Sequence, residues 1–325
     1  MKLPARVKIV DVGPRDGLQN EKQPVAAEVK IGLVHRLQEA GLREIEVTSF
    51  VSPKWVPQMA DNVAVLGGIE RKPGVRYSVL IPNMKGLDAA LSMPRGEWPD
   101  EIVVFAAATE AFSQKNINCS IAESIERFRG VVAAAHEHGI KVRGAVSVAL
   151  GCPYQGEVSA DEVERVVRLI KEIGVDHCGV CDTIGVGTPK RVQAAMDRAL
   201  KHYPLGEVSG HFHDTYGQAI GNVYASLEVG IAAFDASVAG LGGCPYAKGA
   251  TGNVATEDVL FLLDGLGIDT GISLDGVVDA AAFISGVLGR KPVSRTGNAL
   301  IAKRAAAAPA AGSPAASAEG SRSCV

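Results

Sequence analysis

Eight short apolar, β-branched runs recur along the chain, and each is followed by a segment with helical spacing. The runs are Val7–Val12, Glu44–Thr48, Arg76–Ile81, Glu101–Phe105, Lys141–Val148, Asp176–Cys181, Val208–His211 and Ala233–Val238. Helical segments lie near 26–40, 57–66, 84–92, 121–138, 159–173, 188–201, 216–228 and 256–266. Strands separated by helices pair in parallel with right-handed crossovers. Ser120 and Ser159 precede two of the helices, with Glu123 and Glu162 three residues on, which is capping-box spacing. Gly139 and Gly174 stand where those helices must stop. Eight strand–helix units close a (β/α)8 barrel, and the ~250 residues such a barrel uses match the span from Val7 to Leu266. A doubly wound sheet is the competing α/β architecture. Its Gly-x-Gly-x-x-Gly turn is missing after the first strand, where Gly13-Pro-Arg-Asp-Gly17 stands instead. The pattern predicts a TIM barrel within residues 1–291, with 273–291 as an extra helix packed outside it. From Ala305 to Val325 the composition turns to Ala, Pro, Ser and Gly, which predicts a disordered tail.

Composition narrows the functional classes. With 325 residues and 47% hydrophobic content the chain can bury a large core. A net charge of −3 gives no basic field for nucleic acid. No run of apolar residues reaches membrane length, and the start of the chain lacks the apolar segment of a secretory signal. Six cysteines are too sparse for a disulfide framework and suit a reducing compartment. The expectation is a cytoplasmic protein with neither a nucleic-acid nor a membrane partner.

In such barrels the chemistry sits at the C-terminal ends of the strands, and the polar residues here collect there. The first strand leads to Arg15-Asp16, and the second carries Glu46 and leads to Thr48-Ser49. The third leads to Asn83, the sixth ends at Asp182 and the seventh at His211-Phe-His213-Asp214. Buried ionisable groups are costly unless paired or bound to metal, so a constellation of them points to a site. His211 and His213, two apart on an extended segment, face the same way and can share one ion. Asp16 is the nearest carboxylate in this scheme, and the side-chain oxygen of Asn253 can complete the set. Two imidazoles, a carboxylate and an amide oxygen favour Mg2+ or Mn2+, with Zn2+ as the alternative.

The eighth strand feeds Ser237-Val-Ala-Gly-Leu-Gly-Gly-Cys-Pro-Tyr-Ala-Lys-Gly-Ala-Thr-Gly-Asn253. Glycine at that density adds nothing to a core and is expected where backbone moves or approaches a ligand. Cys244 in its middle reads as a reactive thiol on a mobile flap. Cys178 and Cys181 imitate a metal pair, but three residues apart on a strand they face opposite sides and read as packing. Lys22 and Lys54 follow strand ends on the same face, where an anionic substrate would meet them; a solvated lysine is the alternative.

The segments Asp11-Val-Gly-Pro-Arg-Asp-Gly-Leu-Gln-Asn-Glu21, Thr48-Ser-Phe-Val-Ser-Pro-Lys-Trp-Val-Pro-Gln58, His211-Phe-His-Asp-Thr-Tyr-Gly217 and Ser237-Val-Ala-Gly-Leu-Gly-Gly-Cys-Pro-Tyr246 closely resemble the 3-hydroxy-3-methylglutaryl-CoA lyase family of metal-dependent TIM-barrel enzymes. The resemblance runs from about Val7 to Arg290. It implies cleavage of an acyl-CoA substrate to acetyl-CoA and acetoacetate, with Asp16, His211, His213 and Asn253 as metal ligands. It further implies that Arg15 contacts the substrate, that Cys244 is catalytic, and that Glu46 and Asp182 are active-site acids. A homodimer and a place in leucine breakdown are implied in the same way. One departure stands out: Ala145 occupies a position where the resemblance implies tyrosine in animal members, so a longer 3-substituted substrate is the alternative. A Claisen-type acyl-CoA/2-oxo acid synthase is a second alternative, and a non-enzymatic scaffold predicts gaps in a constellation that has none.

Overall fold

The computed structural model describes residues 3–243 and 251–307. Eight parallel strands close a barrel in chain order: β1 (Lys8–Asp11), β2 (Glu44–Ser49), β3 (Arg76–Leu80), β4 (Glu101–Ala107), β5 (Lys141–Ser147), β6 (His177–Asp182), β7 (Val208–Phe212) and β8 (Ala233–Ala236). β1 returns to β8, with Val10 opposite Asp235, and this pairing shuts the ring. Between and after the strands run α1 (Ala27–Glu39), α2 (Asn62–Gly68), α3 (Met84–Leu91), α4 (Glu110–Ile117), α5 (Ile121–Glu137), α6 (Ala160–Glu172), α7 (Pro189–Ala199), α8 (Ala219–Glu228), α9 (Thr256–Gly265), α10 (Leu274–Leu288) and α11 (Arg295–Ala307). None among the described residues is long and apolar enough to cross a membrane.

Local chemistry explains the helix boundaries. α6 buries Val163, Val166, Val167 and Ile170, one stripe at helical spacing. Ser159 and Glu162 form the expected capping box, as do Ser120 and Glu123 ahead of α5, each cap contributing about 1 kcal/mol. Gly139 and Gly174 adopt the left-handed conformation, with φ of +76° and +94°. α10 is capped by Ser273 and stopped by left-handed Gly289.

Three expectations shift. The helix expected from 57 begins at Asn62, because Pro57–Met59 makes a separate short turn. α4 was not expected: it is eight residues long, held by the Thr109 cap and ended by left-handed Asn118, with too little apolar period to show in the sequence. α11 was not expected either, and it carries Ala305–Ala307, three residues assigned above to a disordered tail. The rest of that tail, with Cys324, lies outside the described residues.

The barrel interior departs from the branched aliphatic layers that usually fill such barrels. Glu46 of β2, Glu101 of β4, Arg143 of β5 and Asp235 of β8 meet across it in ion pairs. The β2–β3 register slips between Glu46 and Thr48, a bulge that re-aims side chains beside a site.

Candidate active site

The turn after β1 sets the first two groups. Gly17 N–H reaches the Val12 carbonyl five residues back, at 3.1 Å, so Gly13–Gly17 is a single wide helical turn. A Cβ on Gly17 would lie 2.6 Å from Leu241 Cβ, and one on Gly13 2.9 Å from Val238 Cγ1. Only glycine lets this turn seat against the stem of the glycine-rich loop. The turn projects Arg15 and Asp16 into the barrel mouth. Arg15 Nε donates to Glu46 Oε1 and its Nη1 to Asp16 Oδ1, both at 2.7 Å. Glu46 is held in turn by Arg143 Nη2 at 3.1 Å.

The far wall is built by β7, β8 and the return of the loop. Asp214 N–H bonds the Gly252 carbonyl and Val254 N–H the Phe212 carbonyl, so His213 and Asn253 pair as a short antiparallel bridge. At the neck of the loop a Cβ on Gly252 would stand 2.7 Å from Gly242 backbone, an approach only glycine allows. Asn253 Nδ2 then donates to Asp16 Oδ2 at 2.8 Å. That oxygen is 4.0 Å from His211 Nε2. Ligand atoms of Asp16, His211 and His213 all lie within 4.8 Å of one another, a group able to hold one metal ion.

Two further observations bear on that fit. His213 Nδ1 is buried with no hydrogen-bond partner among the described residues, a costly state that a bound group would relieve. Asp16, Glu46 and Asp235 face two guanidiniums, Arg15 and Arg143, while Glu101 is shared between Arg143 and Arg76. A divalent cation balances that excess.

Electrostatics separates the roles. Burial works against the Asp16 carboxylate, but Arg15, the two imidazoles and Asn253 outweigh it and hold its pKa at about 2. Burial lowers His213 to about 4, aided by the neighbouring His211. His211 is part-buried, and its hydrogen bond to Asp235 and that residue's charge raise its pKa against the desolvation. Asp235 Oδ2 takes His211 Nδ1 at 3.1 Å and Asp235 Oδ1 takes Arg143 Nη1 at 2.6 Å. A carboxylate ionised in this setting only accepts, so Nδ1 carries the proton and Nε2 offers its lone pair towards Asp16.

Of the residues singled out in the sequence, Arg15, Asp16, His211, His213 and Asn253 come together. Glu46 lies below them, 1% exposed, with both oxygens on guanidiniums, so it braces Arg15. Asp182 ends β6 fully buried, and its oxygens accept from Val186 and Gly187 N–H at 3.0 and 2.8 Å. Burial lifts its pKa to about 6 against those bonds. It shapes the 183–187 turn and acts on His211 only through its charge. Lys22 is exposed beyond the Arg15 turn. Cys244 lies outside the described residues. Cys178 and Cys181 are both buried on β6, with burial pushing the Cys178 thiol up to about 12. Sequence reasoning missed Asp235 and Arg143. The signal was there: a charged residue at an inward position of an otherwise apolar strand.

A family model described as HMGL-like matches residues 6–284. A Pseudomonas aeruginosa protein named 3-hydroxy-3-isohexenylglutaryl-CoA/hydroxy-methylglutaryl-CoA lyase is 55% identical over 303 residues, 93% of this chain and 100% of that protein. Mitochondrial hydroxymethylglutaryl-CoA lyase of Homo sapiens is 51% identical over 297 residues, 91% of this chain and 90% of that one. The solved hydroxymethylglutaryl-CoA lyase of Pseudomonas aeruginosa matches with a TM-score of 0.90 at 55% identity, covering 93% of this chain and 100% of that chain. An HMG-CoA lyase of Acinetobacter baumannii in complex with coenzyme A and 3-methylmalate matches with a TM-score of 0.86 at 33% identity, covering 92% and 96%. A closed eight-strand barrel, a carboxylate–imidazole cluster at its mouth and these near full-length matches agree: the chain belongs to the HMGL-like family.

Proposed function

We propose that the protein is a carbon–carbon lyase that cleaves (S)-3-hydroxy-3-methylglutaryl-CoA to acetyl-CoA and acetoacetate, with Mg2+ or Mn2+ held by Asp16, His211, His213 and the Asn253 side-chain oxygen. The observation that carries the reading is Arg15, locked between Glu46 and Asp16 at 2.7 Å each, at the edge of a cluster able to hold an ion. A retro-Claisen cleavage develops negative charge first on the 3-hydroxyl oxygen and then on the thioester oxygen. It therefore needs two positive groups side by side. A divalent cation held there would supply Lewis-acid stabilisation of the hydroxyl oxygen, and the hard donor set favours Mg2+ or Mn2+ over zinc.

The chain's own groups account for the remaining steps. Asp16 or His211 takes the hydroxyl proton; both belong to the ligand set, and His211 Nδ1 is held by Asp235. The C2–C3 bond then breaks, its electron pair passes into the thioester as an enolate, and C3 becomes the ketone of acetoacetate. Arg15 Nη2 makes no hydrogen bond among the described residues and donates to the enolate oxygen. Glu46 fixes Arg15, and Asp182 acts by shaping its turn. Cys244 returns a proton to C2, since a thiol of ordinary pKa is protonated at neutral pH. Lys22, on the rim, meets the anionic coenzyme A portion, a class of ligand present in the Acinetobacter baumannii complex.

A longer acyl chain is the second reading. Ala145 sits two residues above Arg143 on the same inward face of β5 and is half-buried. The Pseudomonas aeruginosa relative is named for an isohexenyl substrate beside the methyl one. Action as a homodimer, in the cytoplasm and in leucine breakdown, completes the proposal. Relatives are named for both cytoplasm and mitochondrion. The test is incubation with Mg2+ and 3-hydroxy-3-methylglutaryl-CoA or its 3-isohexenyl analogue, reading acetyl-CoA release. Release from neither substrate refutes the function, and the ratio of the two rates decides the substrate.

A further inference from the structure

We propose that Asp11 and Glu257, two fully buried carboxylates that touch neither the ion cluster nor the mouth, are positioning residues: Asp11 fastens both legs of the glycine-rich loop to the turn carrying Arg15 and Asp16, and Glu257 fixes the bend of the outgoing leg. The inference rests on the lyase reading given above.

Asp11 ends β1 and is fully buried. Its Oδ1 accepts from Gly13 N–H at 2.9 Å, on the Arg15 turn. Its Oδ2 accepts from Val238 N–H at 3.0 Å, where the chain leaves β8 for the loop, and from Thr256 Oγ1 at 2.7 Å, just past the loop's return. One side chain thus joins three segments that are distant in sequence. Glu257, also fully buried, takes Ala239 N–H on both oxygens at 3.1 Å. Ala239 is left-handed, with φ of +61°, a conformation that is strained for a non-glycine residue. Gly240 follows with φ of +62°. The backbone is therefore held in a tight reversal at the root of the loop, and Glu257 is the group that holds it. α11 seals that carboxylate from water, because a Cβ on Gly297 would stand 3.0 Å from Glu257 Oε1.

Such burial is expensive for a carboxylate that only props a loop. A neutral amide donor–acceptor pair elsewhere would hold a static turn at lower cost. The arrangement is suited to coupling: the same carboxylate sets the course of the loop's stem and the seat of the Arg15 turn. Burial lifts both groups, Asp11 to about 7 and Glu257 to about 8. The charged groups facing them are each other and Asp258, whose Oδ1 accepts from Ser294 Oγ and Thr296 N–H and whose Oδ2 accepts from Arg295 N–H.

The test compares Asp11→Asn, Thr256→Val, Glu257→Gln and Glu257→Leu with the wild type in Mg2+. Steady-state kinetics is read beside hydrogen exchange of peptides covering 231–243. Glu257→Gln keeps an acceptor for Ala239 N–H and retains kcat within about threefold, whereas Glu257→Leu loses at least tenfold in kcat with KM within about threefold. Asp11→Asn and Thr256→Val lower kcat in the same way, and exchange at 231–243 speeds up while barrel peptides stay protected. A folded Glu257→Leu or Thr256→Val variant with wild-type kcat and wild-type exchange overturns the proposal. Thr256→Val removes a single hydroxyl bond, so it keeps the test open if the Asp11 variant does not fold. Wild-type protein that cleaves neither substrate sinks the lyase reading alone, because the exchange measurement still decides whether these carboxylates hold the stem.

Discussion

Asp235→Asn is the substitution that most directly probes how the barrel arms its cluster. Asp235 takes one donor on each oxygen, Arg143 Nη1 at 2.6 Å and His211 Nδ1–H at 3.1 Å. An amide of the same shape accepts at one atom only and presents N–H at the other. With its oxygen kept on Arg143, its N–H faces His211 Nδ1 and drives the ring to the other tautomer, which places a proton on Nε2. The lone pair intended for the ion is lost. Hydrogen bonds to charged groups are worth ~1.5–3 kcal/mol, or about 10- to 100-fold, and losses of partners behind metal-bound histidines fall in the same ~10- to 100-fold range. Unfolding is not expected, because Arg143 keeps Glu46 and Glu101. The assay is Mn2+ binding by calorimetry with activity titrated against Mg2+. Metal affinity should fall by about 10- to 100-fold, and excess metal should recover most of kcat. The pH dependence has a defined sign. Asp235 is depressed well below the usual carboxylate range, mainly by Arg143 and His211 acting against burial, so its contribution is present above pH ~4 and constant through the working range. His211 is raised, so its proton stabilises the metal-free fold below pH ~6.5. That contribution is lost as pH rises through the higher folded value, and metal competes with the same proton. Affinity should therefore climb with pH in the wild type, and the climb should move to lower pH in Asp235→Asn. Unchanged affinity in a folded variant would falsify the tautomer argument.

Arg15→Gln should lower kcat by about 10²–10³ with metal content unchanged, the cost of one donor at a developing oxyanion; a drop in metal content alone would reassign the residue. Cys244→Ser should lose most turnover while binding substrate normally, and near-wild-type turnover would remove the thiol from proton delivery. Ala145→Phe should cut kcat/KM for the isohexenyl analogue by at least tenfold while sparing the methyl substrate; equal losses would place the acyl chain elsewhere. Asp11 and Glu257 have folded pKa values raised by burial to about 7 and about 8, so their stabilising contribution is full below pH ~4 and is lost as pH rises through those values. Melting temperature should fall from about pH 4 to about pH 8 and level off above, and the fall should flatten in Glu257→Gln; an identical slope in that variant would remove Glu257 from the transition.

Periodicity made the eight strands legible, because alternating burial on a sheet and a four-residue stripe on a helix leave different marks in a sequence. It could not show α4, whose eight residues owe their shape to the Thr109 cap and Asn118, or α11, an alanine-rich helix whose start is fixed by the Asp258 side chain on Thr296 N–H. The ligand cluster was legible from His211 and His213, since spacing on one strand determines a shared face. Glu46 was legible as a polar strand residue but not as a brace, because that role depends on Arg15 and Arg143 arriving from β1 and β5. Asp235 and Arg143 were missed for the same reason. A single charged residue in an apolar strand has no meaning until the barrel closes and supplies its partner.

That closure explains why the charges are tolerated at all. An isolated Arg143 or Glu46 in a barrel interior would carry several kcal/mol of desolvation cost. Here each is satisfied by two or more partners from other strands, so no pair can be removed without stranding a third group. Arg143 spans Glu46, Glu101 and Asp235, and through Glu46 and Asp235 it touches the supports of both Arg15 and His211. The two cationic elements of the proposed reaction, a guanidinium for the enolate and an ion for the alkoxide, are thereby referenced to one buried residue. Their separation is thus referenced to the barrel interior beneath the mouth.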